Sequence, residues 1–128
     1  MEENKSKKLS WLWIVLIVIV VGVLVGVFVP GSGGDVELVD AKMTCQYNSL
    51  MGGFEADITG SVQNNTNSDY SYVQIEFSVY DENERNLGTI TDNMNNLAAG
   101  ETWSFKATSL GWYDYKPVSF KLVEITYW

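Results

Sequence analysis

Residues 11–29, WLWIVLIVIVVGVLVGVFV, run for nineteen positions without a charge. As an α-helix such a run is about 28 Å long, close to the ~30 Å hydrocarbon thickness of a bilayer. A single spanning helix is therefore expected over 11–29. A secretory signal peptide would have an apolar region of roughly 7–15 residues and a small-residue cleavage site. Here the run leaves through VPGSGG, without an A-x-A pattern, so an uncleaved anchor is expected. Cys45 stands too far from the run, in the polar context KMTC, to be the acylated cysteine of a lipoprotein.

Flanking charge sets the orientation, because lysine and arginine beside a spanning helix stay cytoplasmic. Lys5, Lys7 and Lys8 precede the run and the next basic residue is Lys42. The expectation is a single-pass protein of the plasma membrane, with residues 1–10 as a cytoplasmic tail and the C-terminal domain outside. Trp11 and Trp13 suit the headgroup level. Gly22 and Gly26 form a small-xxx-small pair that lets two helices approach, which would support a weak homodimer. Residues 30–34, PGSGG, read as a flexible linker, since proline ends a helix and glycine keeps the chain mobile.

The exterior domain, 35–128, is acidic. The chain carries −8 and its first ten residues +1, so the remainder carries −9. Nucleic-acid binding needs clustered Lys and Arg and is not expected; lying flat on anionic lipid is disfavoured for the same reason. Solubility is the simplest consequence of the charge.

After residue 35 the apolar residues recur with period two, the signature of strands with one dry face. VELVDAKMTCQY is one strand. FEADITGSV sets Phe54, Ala56, Ile58, Gly60 and Val62 against polar neighbours, and YSYVQIEFSVY does the same with Val73, Ile75, Phe77 and Val79. LGTIT is short; TWSFKAT places Trp103, Phe105 and Ala107 together; VSFKLVEITYW is a long last strand. NNTNSD, DENERN, DNMNNLAAGE and GWYDYKP read as turns between them. Six or seven short strands without a helical pattern predict an all-β fold, an immunoglobulin-like antiparallel β-sandwich preceded by one N-terminal transmembrane helix. A small barrel is the alternative. Cys45 is the only cysteine, so no disulfide can join the sheets within the chain.

Residues 60–107 also resemble the FxLYD domain, an immunoglobulin-like module found outside the membrane in bacteria and archaea. Phe77-Ser78-Val79-Tyr80-Asp81 corresponds to the namesake motif, with Val79 where leucine is usual. Gly60, Val62 and Asn64 match its Gly-x-Val-x-Asn pattern, and Leu97, Gly100 and Glu101 match a Leu-x-Pro-Gly-Glu turn in which Ala99 replaces proline. The resemblance implies a fold and an exterior location, and no reaction or ligand. In physical terms Phe77 and Val79 point to the core, Tyr80 faces the other way, and Asp81 can accept turn amides.

Catalysis is not expected. The chain has no histidine, which removes Ser-His-Asp and Cys-His machinery and leaves zinc one cysteine. The acids lie on turns and wet strand faces, where nothing desolvates one to raise its pKa. No metal or cofactor is assigned. Asp81, Glu82, Asn83, Glu84 and Asn86 offer hard oxygens of the kind calcium takes, but Arg85 and Asn86 stand where an EF-hand loop requires Asp/Asn and glycine. TDNMNN could meet this cluster across a sandwich edge. Trp112, Tyr113 and Tyr115 gather in a loop before the last strand and form a candidate contact surface. Tyr70, Tyr72 and Tyr80 lie on or beside a wet strand face, and Asn64-Asn65-Thr66 matches the N-glycosylation sequon. The reading is a membrane-anchored extracytoplasmic module for interaction with a protein or cell-envelope partner. The alternative is a calcium- or carbohydrate-binding domain using the acidic turns and the aromatic loop.

Overall fold

The computed structural model describes residues 34–128 and, upstream, only the backbone of two short segments, β1 (Ile17–Val20) and β2 (Val23–Leu24). The helix expected over 11–29, the cytoplasmic tail and the Gly22/Gly26 pair otherwise lie outside the described residues. Among the described residues no helix is long and apolar enough to cross a membrane.

Six strands follow: β3 (Val36–Asn48), β4 (Gly53–Asn64), β5 (Tyr70–Tyr80), β6 (Asn86–Leu97), β7 (Thr102–Thr108) and β8 (Ser119–Tyr127). They form two antiparallel sheets. In one, β4 lies between β3 and β7; in the other, β5 lies between β6 and β8. Two hairpins, β3–β4 and β5–β6, supply the pairs that are adjacent in sequence, and the chain crosses between sheets three times to add the rest. Residues 34–128 are thus a β-sandwich.

Period-two patterning explains the interior. Val73, Ile75, Phe77 and Val79 of β5 are fully buried against Ile58 and Val62 of β4 and Met43 of β3, in one hydrophobic cluster. Phe77 is its centre, with ring centroids 5.3 Å from Phe120 and 5.7 Å from Phe105 of the opposite sheet. Burying a phenylalanine in such a site stabilises by about 3 kcal/mol or more. Cys45 is buried and free, and burial pushes its thiol above the ordinary range.

Register is set partly by Gly60. The β3–β4 pairing slips between Leu38 and Asp40, and a side chain on Gly60 would run into the Asp40 carbonyl and the Ala41 backbone. Only glycine lets the bulged strand lie this close.

One element differs from its sequence reading. LGTIT was expected to be a short strand and DNMNNLAAGE a turn, yet β6 runs through twelve residues to Leu97. Its polar residues Asn93, Asn95 and Asn96 are exposed, while Ile90 and Leu97 are buried. An outer strand needs only one dry face and one paired edge, so pairing with the whole of β5 overrides the turn preference of asparagine.

Candidate functional site

The strands run the length of the sandwich, so every turn belongs to one of two ends. Asp35, Asn64, the 97–101 turn and Trp128 gather at one end: Asn65 N–H donates to Asp35 O at 2.7 Å, Gly100 N–H to Asn64 O at 3.0 Å, and Ser71 N–H to Trp128 O at 2.8 Å. The β3–β4 turn, the β5–β6 turn and the 109–118 loop gather at the other. The second end lies about 40 Å from Asp35, the length of β3 at ~3.3 Å per residue.

At the first end Asn64 is fully buried. Its amide donates to the carbonyls of Ser68 (2.8 Å), Leu97 (3.3 Å) and Ala98 (3.0 Å), and its Oδ1 accepts from the backbone N–H and the hydroxyl of Thr66. Glu101 Oε1 accepts from Ala98 N–H at 2.7 Å, and Gly100 stands at φ 76°. Val62 and Leu97 are buried beneath. Val62, Asn64, Leu97, Gly100 and Glu101 therefore act together as a structural staple, while Gly60, further along β4 and opposite Ala41 and Phe105, serves the β3–β4 bulge instead. The sequon at Asn64 is closed in the folded domain, because the nitrogen that would carry a glycan is inside and already bonded.

At the second end Asp81 is 3% exposed. Its Oδ1 accepts from the backbone N–H groups of Asn83 and Arg85, each at 2.9 Å, and its Oδ2 accepts from Arg85 Nε at 2.7 Å. Glu84 closes the turn in the left-handed region at φ 63°. Burial opposes ionisation of the carboxyl, but the bonds from Arg85 and Asn83 outweigh it and hold the pKa below the usual value. An Asx-type turn needs such an acceptor. With both oxygens engaged, Asp81 is a poor cation ligand.

Nor does the second oxygen-rich stretch meet the first. Asp92 pairs with Ile75 in mid-strand and its Oδ2 accepts from Lys106 N–H of β7 at 2.9 Å, joining the two sheets at their edge. Among the described residues no group of three or more His, Cys, Asp or Glu side chains is placed to hold a metal ion.

The aromatic loop divides in two. Tyr113 turns inward, exchanging backbone hydrogen bonds with Phe54 at 2.8 and 2.9 Å, and burial raises its phenol pKa. Trp112 and Tyr115 stay exposed. The Arg85 guanidinium lies 3.9 Å from the centroid of the Tyr115 ring, a cation–π contact that couples the acidic turn to the loop. Trp112 is packed against Gly53, where an added Cβ would stand 2.8 Å from the Trp112 Cβ.

The β3–β4 turn belongs here too. Leu50 is 93% exposed at its apex, Met51 follows it, and Tyr47 sits edge-on to Phe54 with centroids 5.0 Å apart. Leu110, in the adjacent loop, is fully exposed. Among the described residues, six of the nine exposed large hydrophobic side chains are Tyr47, Leu50, Met51, Leu110, Trp112 and Tyr115, all at this end. The signal available in sequence was Leu-Met inside NSLMGG, apolar residues where turn chemistry calls for polar ones. Elsewhere Tyr70 lies edge-on to Tyr127, and Tyr72 stacks on Trp128 with centroids 4.6 Å apart, fixing β8 against β5.

No family model matches the sequence, and no curated protein matches it. Solved structures do resemble the fold. Bacteroides uniformis β-glucuronidase 2 matches with a TM-score of 0.54 at 15% identity, over 81% of this chain and 14% of that one. A second Bacteroides uniformis β-glucuronidase structure gives a TM-score of 0.51 at 17% identity, over 71% of this chain and 11% of that one. The chain thus spans about one seventh or less of these enzymes, and the likeness is one of fold. A DUF1425 family member from Shewanella sp. aligns over 84% of this chain and 94% of its own, at 16% identity and a TM-score of 0.36.

Proposed function

We propose that the chain is a membrane-anchored extracytoplasmic module that presents an immunoglobulin-like, FxLYD-like sandwich to a protein or cell-envelope partner, without catalysis. The observation that carries this reading is the concentration of exposed apolar and aromatic side chains at the end remote from Asp35. In a soluble domain such a cluster is unfavourable unless something covers it. The apolar run 11–29 would enter the membrane with the lysines inside, and the acidic sandwich would stand outside on the 30–34 linker. The pairing of β3, β4 and β7 in one sheet and β6, β5 and β8 in the other follows the A-B-E and C′-C-F order of immunoglobulin-type sandwiches. The bound state of Asp81 favours interaction over calcium binding.

Photo-cross-linking in the native membrane tests the reading, with a photoreactive residue at Tyr115 and, separately, at Glu76 on the solvent face of β5. A discrete adduct at Tyr115 and none at Glu76 is expected. Adducts at Glu76 alone would move the contact surface to the sheet face. Protection of the domain from protease on intact cells would refute the orientation.

A further inference from the structure

We infer that the free edges of β3 and β8 form a strand-accepting seam whose occupant is residues 17–24 of the same chain, so that seam and bilayer compete for one apolar run. The bilayer half of the inference rests on the anchor proposed above.

Three observations carry it. The first is pairing. β1 and β2 are antiparallel partners through Ile19–Leu24 and Val20–Val23, and together they lie between β8 of one sheet and β3 of the other. On one side Ile17 and Val18 pair with Phe120 and Ser119 of β8; on the other Val23 pairs with Thr44 of β3. Among the described residues the remaining neighbour of β3 is β4 and that of β8 is β5, so without 17–24 both would be edge strands. The opposite flank is already joined, by Asp92 bonding Lys106 N–H.

The second is edge protection. A sheet edge is normally guarded by charge or by a bulge. Toward Asp35 both edges are guarded: β3 has Glu37, Asp40, Lys42 and its bulge at Val39, and β8 has Lys121, Glu124 and an unpaired Val123. The remote stretches have neither device. Residues 43–48 of β3 and 119–120 of β8 are uncharged and in continuous register, and these are the stretches that 17–24 pairs with.

The third is the occupant. Eleven of the nineteen residues at 11–29 are valine or isoleucine, which favour strands on a half-buried pleated surface. In hydrocarbon a lone segment must instead satisfy its own backbone, which requires a helix. An amide bonded to β3 or β8 cannot also bond within a helix, so the two seats exclude each other. Reach allows the seam to be filled from within one chain. From Leu24 to Val36 the connection can extend about 40 Å, more than the ~26 Å that β3 covers from Val36 to Thr44.

The test uses the full chain, synthesised without lipid, in a Cys45→Ala background with paired cysteines: Val23→Cys with Thr44→Cys, and Val18→Cys with Ser119→Cys. Val23→Cys with Thr108→Cys, on the far edge of the same sheet as β3, is the control. Under mild oxidation an intrachain disulfide is expected in both test pairs and none in the control. Phosphatidylcholine vesicles added before oxidation should abolish both disulfides in the chain that floats with them, and amide exchange over 43–46 and 118–120 should quicken. A lipid-free chain that precipitates, forms neither disulfide, or forms them only between chains overturns the inference. So do disulfides that persist in the floating chain. A chain that keeps both disulfides and does not float confirms the seam but refutes the anchor, and the competition with it.

Discussion

The two ends of the sandwich solve the same problem in opposite ways. Both must close a core that strands leave open, and both use a side chain that accepts or donates to turn backbone. At the end near Asp35, Asn64 is fully buried, the carbonyls around it are satisfied, and the polar loops above it carry Asn, Ser, Thr and Asp. At the remote end, Asp81 makes the corresponding turn, yet beside it leucine, methionine and tryptophan stand in water. The difference teaches that the apolar tip is no by-product of sealing the fold. A polar staple does that work at the near end, where the exposed Trp128 is stacked on Tyr72 and the 97–101 turn shows no apolar side chain larger than alanine to water.

Substitutions can break or sharpen this contrast. Asn64→Ala should have the largest effect, about 3 kcal/mol of lost stability, because three buried or partly buried carbonyls lose their donor at once. Thermal or urea unfolding would measure it, and a change within error of wild type would mean the staple is idle. Gly53→Ala should follow at roughly 1–2 kcal/mol, since the new methyl meets Trp112 and the Tyr113 carbonyl and must push the loop outward. A shift of the Trp112 indole resonance would report that displacement directly.

Asp81→Asn should destabilise in a pH-dependent way. The folded carboxyl has a depressed pKa, so its contribution is full above the unfolded value near 3.9 and is lost as pH falls through the folded one. The gap in unfolding temperature between wild type and variant should therefore be constant from neutral pH to about pH 5 and close on further acidification. A gap independent of pH would assign the turn to packing alone. At the small end, Leu50→Ser combined with Leu110→Ser should change stability by no more than ~0.5 kcal/mol, because both side chains are exposed. The same variant should abolish the Tyr115 cross-link. If it also unfolds the domain, the tip belongs to the core and the contrast between the ends disappears.

How much of this was legible in the sequence depends on range. β3, β4, β5 and β7 follow from alternation within a few residues of their ends, because each has one buried face; β8 follows from its apolar and β-branched content, since its burial does not alternate beyond Phe120. The second half of β6 does not. Asp92 to Asn96 have turn-forming side chains, and only the partner strand β5, far along the chain, makes them extended. The site divides likewise. Trp112 and Tyr115 could be picked out by type, and the Asp81 turn by composition. That Arg85 lies over Tyr115, and that Leu50 and Leu110 share one end with them, depends on crossovers that no local pattern encodes. By residue type Tyr113 is no different from Trp112 and Tyr115, but its backbone pairing with Phe54 turns it inward.

The closed sequon at Asn64 has a consequence for making the protein. A glycosylating secretory host presents its transferase to the chain before the sandwich has formed, when the Asn64 amide is still free. A sugar attached then could not be taken inside, and the staple would be lost for good. Glycan occupancy at this asparagine would thus act as a clock, marking the molecules in which modification outran folding.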